Sequence, residues 1–232
     1  MIRLSAIQLV CLDLDDTLWP CTPTIINAER AIYTWLQQHQ PDITHTYSNE
    51  QLRDKRKQLI KRQPQLRNDL SAARRVHLQE LAEEHGLSHD WIEDAFQVFY
   101  LERQKVRLYH DVLPAIEFLA PRKQLVALTN GNAHIRHVGI HGYFRFQLSA
   151  ADLQAAKPDP AMFNTAMARL GLQPEQVLHV GDHPRDDILG AHNAGITSVW
   201  LNRNQQEWEQ DDFRPDYQIS NLHQLIELLY GA

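Results

Sequence analysis

Residues 7–17 read IQLVCLDLDDT, a short apolar run that ends in three carboxylates. The apolar run predicts a buried strand. Alternation along a strand sends Asp13 and Asp15 to one side of it, while Leu14 faces the other side. Carboxylates held this close repel one another, so the stretch needs a cation or another counter-charge to offset them. The alternative is a solvated acidic turn that caps a following helix.

A bound cation and a chemical role would each explain the paired acids. Mg²⁺ prefers oxygen ligands, and two carboxylates at the end of a strand supply them. The same pair offers a nucleophile beside a general acid–base group. The stretch therefore predicts a metal-binding or reactive site at the end of the first strand.

The composition is that of an ordinary globular protein. The chain has 232 residues, of which 43% are hydrophobic and 22% charged, and a formal net charge of −6. This charge gives no argument for a nucleic acid or a membrane as partner, so neither is expected. The two cysteines, Cys11 and Cys21, do not make a disulfide framework. With no signal peptide and no apolar stretch of membrane-spanning length, the cytoplasm is the expected location.

The hydrophobic pattern divides the chain into an all-helical part and an alternating part. Helical spacing predicts helices over residues 24–40, 49–62, 69–85 and 88–107, the last with its N-cap within 88–90. Beyond residue 110 the pattern predicts strands over 124–128, 146–148, 177–180 and 196–201, and helices over 111–120, 160–170, 186–194 and 222–229. This alternation predicts an α/β fold, a parallel sheet with helices on both faces. The expected domains are a core of residues 1–18 and 110–232 and an inserted all-helical cap of residues 19–109.

Further polar clusters follow the predicted strands, where sheets of this kind bind ligands. Residues 129–131, Thr-Asn-Gly, offer a hydroxyl, an amide and an approachable backbone N–H, which suit phosphate oxygens; an ordinary turn is the alternative. Residues 181–187, GDHPRDD, add carboxylates that suit a metal or a helix N-cap. Lys157 precedes a predicted helix and could bridge a phosphate and the acidic cluster, or be a solvated surface lysine.

Together these clusters resemble the four motifs of the haloacid dehalogenase-like (HAD) hydrolase superfamily, in the same order and spacing. They are Asp13-x-Asp15-Asp16-Thr17, Thr129-Asn130-Gly131, Lys157-Pro158 and Gly181-Asp182-x-x-x-x-Asp187. The resemblance implies a Rossmann-like core, and the helical insert resembles the C1-type cap of the phosphatase branch. It also implies a Mg²⁺-dependent phosphatase that hydrolyses a small phosphorylated metabolite through an aspartyl-phosphate intermediate.

The same resemblance implies a role for each motif residue. Asp13 is the expected nucleophile, and Asp15 is the expected general acid–base group. The expected phosphate-binding residues are Thr129, Asn130, Gly131 and Lys157. The expected metal ligands and supports are Asp13, Asp15 through its carbonyl, Asp182 and Asp187, with Asp186 as the alternative to Asp187.

Asp15 favours a phosphatase over a dehalogenase. An alkoxide leaving group needs a proton and a halide does not, and the dehalogenase branch lacks an acid at this position. A phosphomutase or a haloacid dehalogenase on the same fold remains an alternative, as does a non-catalytic ligand-binding or regulatory protein. The motif context and the cap also resemble a bacterial subgroup with a phosphatase of flavin synthesis, so a flavin-pathway or sugar phosphate is an expected substrate. The sequence gives no indication of the oligomeric state.

The predicted cap concentrates positive charge, with nine basic and two acidic side chains in residues 51–75. This concentration favours attraction of an anionic phosphate ester, and a solvated helix face is the alternative. Arg67, Arg74 and Arg75 lie near a break in this part of the chain and are candidate substrate contacts. Trp19 and Tyr109 flank the insert, which suggests hinge elements, although Trp19 could simply pack in the core.

Overall fold

The computed structural model describes residues 4–231, which divide into two compact units. The core unit holds the described residues up to Pro20 and from Arg107 onward, and the helical unit is Cys21–Val106. The expected boundaries, after residues 18 and 109, differ from these by two and three residues. That the units act as a catalytic core and a cap stays a prediction.

The helical unit, all of it described, contains five α-helices. They are α1 (Cys21–His39), α2 (Pro41–Thr46), α3 (Asn49–Arg62), α4 (Leu70–Glu84) and α5 (Ile92–Arg103), with a 3₁₀ turn at Pro64–Asn68 before α4. Apolar side chains from all five helices, among them Leu36, Leu81 and Phe96, pack into one core.

Local capping explains where these helices begin. α3 has the predicted bounds because Ser48 forms a capping box with Gln51 at its first turn. α5 begins later than predicted: its N-cap is Trp91 rather than a residue of the 88–90 segment. That segment instead forms a turn, which the N–H of Ile92 closes by donating to the His89 carbonyl at 3.2 Å.

The core unit is built on one parallel sheet. Its strands are β1 (Leu9–Leu12), β2 (Gln124–Thr129), β3 (Phe146–Ser149), β4 (Val177–Gly181), β5 (Thr197–Leu201) and β6 (Tyr217–Ile219). The strand order is β3-β2-β1-β4-β5-β6. β1, β4 and β5 are buried along their whole length, as expected of parallel strands covered on both faces. The predicted α/β fold is confirmed, although the short edge strand β6 was not predicted.

Helices cover the sheet and fix the loops after its strands. They are α6 (Val112–Leu119), α7 (Ile135–Val138), α8 (Ala150–Leu153), α9 (Ala161–Leu170), α10 (Gly190–Asn193) and α11 (Leu222–Tyr230). α9 ends as predicted at Gly171, which adopts a left-handed φ of 66°. The helix predicted over 186–194 is instead a π-helical turn at Pro184–Leu189 followed by α10. Across residues 4–231, none of these helices is long and apolar enough to traverse a bilayer.

The strand order reverses beside β1, which lies between β2 and β4. In sheets of this topology the carboxyl ends at such a reversal frame the ligand-binding crevice. The N–H of Asp13 donates to the Val180 carbonyl at 3.0 Å, so the pairing of β1 with β4 continues to the start of this crevice.

Candidate active site

The carboxyl ends of β1 and β4 bring three predicted aspartates together. Asp13 directly follows β1, Asp182 follows β4, and Asp187 lies in the π-helical turn beyond it. One carboxylate oxygen from each lies within 4.8 Å of the others. Asp13 and Asp187 are buried, with 7% and 1% exposure, and Asp182 is partly buried. Acids from separate motifs therefore form one cluster.

Lys157 supplies the opposite charge inside this cluster. Its Nζ donates to Oδ1 of Asp13 and to Oδ1 of Asp187, both at 2.6 Å, and to the Leu128 carbonyl at 3.0 Å. These bonds use all three donors of the ammonium group. The side chain is 1% exposed, so Lys157 is a buried counter-charge and not a solvated surface lysine.

Burial and charge shift the pKa values of these groups in opposite directions. Burial raises the pKa of Asp13 well above its usual range, and Lys157 lowers it in part. Burial would also raise the pKa of Asp187, but Lys157 and His179 hold that pKa well below its usual range. Burial would lower the pKa of Lys157, but Asp13 and Asp187 together raise it above its usual value. Lys157 and Asp187 therefore form a charged pair.

The loop after β2 fixes the backbone of Lys157. Nδ2 of Asn130 donates to the Lys157 carbonyl at 3.0 Å, and Oδ1 of Asn130 accepts from the Lys157 N–H at 2.8 Å. Oγ1 of Thr129 accepts from the Gly131 N–H at 2.9 Å, which closes the loop. Asn130 thus positions Lys157, and a phosphate contact by its side-chain amide would have to break these bonds.

Asp187 rather than Asp186 supports the lysine. Oδ2 of Asp187 accepts from the His183 N–H at 2.9 Å, while its Oδ1 accepts from Lys157. Asp186 accepts from Nδ2 of Asn130 at 3.3 Å, and its side chain is 38% exposed. Gly181 allows the close approach of Asp187, because a Cβ at that position would lie 2.1 Å from the Asp187 Cγ.

Two buried side chains that the sequence analysis did not single out also support the cluster. Nε2 of His179 lies 2.9 Å from Oδ1 of Asp187, and the histidine is the donor because an ionised carboxylate only accepts. Nε1 of Trp200 donates to the Asp182 carbonyl at 2.8 Å. A histidine within the apolar run of β4 is a signal that sequence reasoning could have used, since buried polar side chains need partners. Trp200 gives no such signal.

Asp15 lies on the loop after β1 and is partly buried. Its Oδ1 accepts a hydrogen bond from the Trp19 indole N–H at 2.8 Å. Among residues 4–231, the cluster of acidic side chains that could hold a metal includes the carboxylate of Asp13 but not that of Asp15. Any part that Asp15 takes in metal binding is therefore left to its backbone carbonyl, as the resemblance implies.

The donor set of this cluster fits Mg²⁺, which prefers oxygen ligands. Both oxygens of Asp187 already accept hydrogen bonds from protein donors, so Asp187 suits a supporting role. Asp13 and Asp182 are better placed as ligands, although Oδ1 of Asp182 also accepts from the Thr17 hydroxyl at 3.2 Å. Burial, and then the charge of Asp187, raise the pKa of Asp182 to about 7. Both causes disfavour the ionised carboxylate, and a bound cation would favour it again.

Two of the three candidate arginines are paired inside the helical unit. The Arg74 guanidinium, 5% exposed as a residue, bonds Glu29 at 2.7 Å and lies 3.3 Å from the Phe99 ring centroid. Arg75 pairs with Glu93 at 2.8 Å. This placement argues against direct substrate contact by Arg74, because binding there would first break a buried ion pair. Arg67 is exposed, and substrate contact by Arg67 or Arg75 stays a prediction.

Comparison with known proteins agrees with the motifs. The family model of haloacid dehalogenase-like hydrolases matches residues 7–195. A 2-haloacid dehalogenase of known structure from Pseudomonas syringae pv. Tomato DC3000 is 40% identical, with a TM-score of 0.90 and alignment over 96% of this chain and 98% of that one. The 5-amino-6-(5-phospho-D-ribitylamino)uracil phosphatase YigB of Escherichia coli (strain K12) is 29% identical over 97% of this chain and 98% of its own length.

A third relative is matched over part of the chain only. Phosphoserine phosphatase of Thermus thermophilus is 30% identical over 156 residues, 63% of this chain and 61% of that protein. Phosphatases and a dehalogenase thus both lie among the similar proteins. The family model spans most of the sequence and both compact units. The chain belongs to the haloacid dehalogenase-like hydrolases.

Proposed function

We propose that this hydrolase is a phosphatase that acts on a small phosphorylated metabolite through an aspartyl-phosphate intermediate on Asp13. The observation that carries the proposal is a second carboxylate, Asp15, held on the same loop as Asp13, whose carboxylate accepts a hydrogen bond from Lys157. One carboxylate can attack phosphorus while the other transfers the proton. Because Lys157 holds Oδ1 of Asp13, we assign the attack to Oδ2.

The proposed reaction has two displacement steps. In the first, Asp13 bonds to phosphorus, the bond from phosphorus to the leaving oxygen breaks, and Asp15 gives its proton to that oxygen. In the second, Asp15 takes a proton from water, the water oxygen bonds to phosphorus, and the bond to Asp13 breaks to release inorganic phosphate. Thr129 and the N–H groups of its loop bind the phosphoryl oxygens, and Lys157 supplies positive charge. Positioning and charge neutralisation are the main requirements of phosphoryl transfer.

Mg²⁺ is the proposed cofactor, held by the carboxylates of Asp13 and Asp182 and the carbonyl of Asp15. When bound, it would neutralise charge on the phosphoryl oxygens. Asp187 supports the site without binding the metal, because it fixes the ammonium group of Lys157.

A phosphorylated intermediate of the flavin pathway is the proposed substrate, with a sugar phosphate as the broader class. The support is the similarity to YigB, which extends over nearly the full length of both proteins. The cytoplasm is the proposed location, and the free thiols of Cys11 and Cys21 suit a reducing compartment. Neither a nucleic acid nor a membrane is part of the proposal.

A 2-haloacid dehalogenase is the second candidate, favoured by the 40% identity to the Pseudomonas syringae structure. In that reaction Asp13 would displace a halide from carbon. A halide leaves without a proton, so the acid at Asp15 would have no transfer to perform in that step. For this reason we favour the phosphatase.

The test is a substrate panel assayed with Mg²⁺ and with EDTA. It contains 5-amino-6-(5-phospho-D-ribitylamino)uracil, sugar phosphates and p-nitrophenyl phosphate, followed by phosphate release, and (S)-2-chloropropionate, followed by chloride release. We expect Mg²⁺-dependent phosphate release that falls at least about 1,000-fold in Asp13→Asn, because the nucleophile is lost.

Other outcomes separate the alternatives. Chloride release without phosphate release would assign a dehalogenase. Isomerised sugar phosphate without inorganic phosphate would assign a phosphomutase. Binding of the esters by folded protein with no turnover would favour a non-catalytic role, and undiminished turnover by Asp13→Asn would exclude the aspartyl-phosphate mechanism.

A further inference from the structure

The loop after β1 closes on itself through its own backbone. The Asp16 N–H donates to the Trp19 carbonyl at 2.7 Å, and the Leu18 N–H donates to the Leu14 carbonyl at 2.7 Å. Asp16 adopts a left-handed φ of 59°, a conformation that aspartate tolerates better than most residues. The loop therefore brings the Trp19 side chain back to Asp15.

Contacts from outside the loop hold it in place. Nη2 of Arg203 donates to the Thr17 carbonyl at 2.8 Å, and Nη1 of Arg203 donates to Asp111 at 3.0 Å. The Tyr109 N–H donates to the Leu18 carbonyl at 3.0 Å. Arg203 and Tyr109 thus fix the two peptide groups that flank Leu18, the residue before Trp19.

Trp19 is an anchored donor to the Asp15 carboxylate. Its indole N–H lies 2.8 Å from Oδ1 of Asp15, and its side chain is fully buried, at 0% exposure. The ring cannot turn its N–H away without repacking the core. The hydrogen bond therefore restrains Asp15 to one orientation.

The chemistry of the indole determines which Asp15 oxygen carries a proton. An indole N–H donates and cannot accept. When Asp15 is protonated, the proton is therefore best placed on Oδ2, and Oδ1 keeps its bond to Trp19. A general acid with one oxygen restrained in this way presents its proton from a defined position.

We propose that Trp19 is a positioning residue for Asp15, and that it sets how well the enzyme cleaves esters with basic leaving groups. The proposal rests on the proposed phosphatase function. A basic leaving oxygen needs a proton as its bond to phosphorus breaks, whereas p-nitrophenolate is weakly basic and leaves without one. Loss of the indole N–H should therefore slow the cleavage of esters with basic leaving groups and should affect p-nitrophenyl phosphate little.

The test compares Trp19→Phe with the wild type on two esters of similar shape, phenyl phosphate and p-nitrophenyl phosphate. Phenylalanine keeps an aromatic ring in the core and removes the N–H. We expect kcat/KM, which reports the first displacement and not the later hydrolysis common to both esters, to fall about 10-fold or more for phenyl phosphate and to stay within about 3-fold for p-nitrophenyl phosphate. Both values come from one preparation, so their ratio does not depend on the folded fraction.

Matched variants separate positioning from packing. Trp208→Phe also removes an indole hydrogen bond, here to the Phe213 carbonyl, and should leave the ratio unchanged. Asp15→Asn should show the same selective loss of kcat/KM, and adding Trp19→Phe to it should lower kcat/KM little further, because both changes act on one group. Trp19→His, whose ring can still donate, should recover part of the phenyl phosphate activity.

Equal losses of kcat/KM on both esters, or losses of kcat/KM that add in the double variant, would overturn the role of Trp19 and leave the phosphatase proposal intact. Wild-type protein that hydrolyses neither ester nor any member of the substrate panel would overturn the phosphatase proposal, and this inference with it.

Discussion

His179 shows how a single buried polar residue supports the candidate site. It lies inside β4, with 0% exposure, where an apolar side chain would cost less free energy. Burial lowers the pKa of His179, so the imidazole is neutral and can donate from one nitrogen. That donor meets Oδ1 of Asp187, the oxygen that also accepts from Lys157. His179 therefore fixes the carboxylate that fixes the lysine.

We predict that His179→Phe lowers kcat/KM for phosphate esters about 10- to 100-fold. The ring volume is nearly kept, but Asp187 loses a donor, and a hydrogen bond to a charged group contributes about 1.5–3 kcal/mol. Steady-state kinetics at saturating Mg²⁺ measure the loss, and His179→Gln, which retains an N–H donor, should recover part of it.

His192→Phe is the matched control for that substitution. Its Nε2 pairs with the Ser198 hydroxyl at 3.1 Å, and the residue is partly buried in the same unit. Unchanged kcat/KM in His179→Phe, or an equal loss in His192→Phe, would show that His179 only fills space.

At the scale of elements, α4 buries polar side chains in the core of the helical unit. Arg74 and His77 are 5% and 3% exposed. Glu29 on α1 accepts from Arg74 and also pairs with Arg56 on α3. Burial would raise the pKa of Glu29, but Arg74 and Arg56 hold it below its usual value. His77 lies beside these charges, and its Nε2 has no hydrogen-bond partner among the described residues.

We predict that the helical unit loses stability as the pH falls below about 6.5, the ordinary histidine pKa. Burial, and then the charges of Arg56 and Arg74, lower the pKa of His77 to about 3. As the pH falls, the unfolded chain therefore binds a proton at His77 that the folded unit does not bind. The loss of folding stability continues until the pH falls through the lowered pKa of His77. Between pH 6.5 and 5 it should amount to about 2 kcal/mol.

Hydrogen exchange of the α4 amides at pH 7 and pH 5, corrected for intrinsic rates, measures this loss. His77→Leu should remove most of the pH dependence, while His89→Leu, at an exposed position of the same unit, should behave like the wild type. Equal protection at both pH values in the wild type would contradict the prediction.

Elements with strong local signals could be predicted from the sequence, and those without such signals could not. α3 has a capping box and was predicted with its observed bounds, and α9 has a glycine at its end. α5 begins four residues later than predicted, because 88–90 form a turn. β6 is a three-residue strand with one buried residue, too short for periodicity to detect.

The sequence predicted the members of the candidate site better than their partners. The predicted Asp13, Asp182 and Asp187 come together because the ends of parallel strands meet at one edge of a sheet, and Lys157, from the loop before α9, joins them. The pairing of Arg74 with Glu29 spans 45 positions in the chain, so local pattern could not predict it. The pairing of His179 with Asp187 could not be predicted either, because Asp187 lies on a π-helical turn where an α-helix was expected.

At the scale of the whole molecule, folding gathers charges that are distant along the chain. Asp13 and Asp182 follow different strands and Lys157 lies between α8 and α9, and only the native fold brings them together. Three carboxylates against one ammonium group leave an excess of negative charge in a mostly buried cluster. A cation that binds this cluster binds the folded state alone, so it should stabilise the whole core unit.

We predict that Mg²⁺ raises the melting temperature of the wild type by roughly 5–10 °C over EDTA, measured by scanning calorimetry at constant ionic strength. At about 100 times its dissociation constant, a ligand of the folded state adds about 2.7 kcal/mol, which corresponds to a shift of that size in a chain of this length. Asp182→Asn should abolish the shift and, in EDTA, melt no lower than the wild type, because it removes a repelling charge. Asp186→Asn, at a partly exposed neighbouring carboxylate outside the cluster, should keep the shift. A full shift in Asp182→Asn would place the cation elsewhere, and no shift in the wild type at any Mg²⁺ concentration would remove the cation from the proposed function.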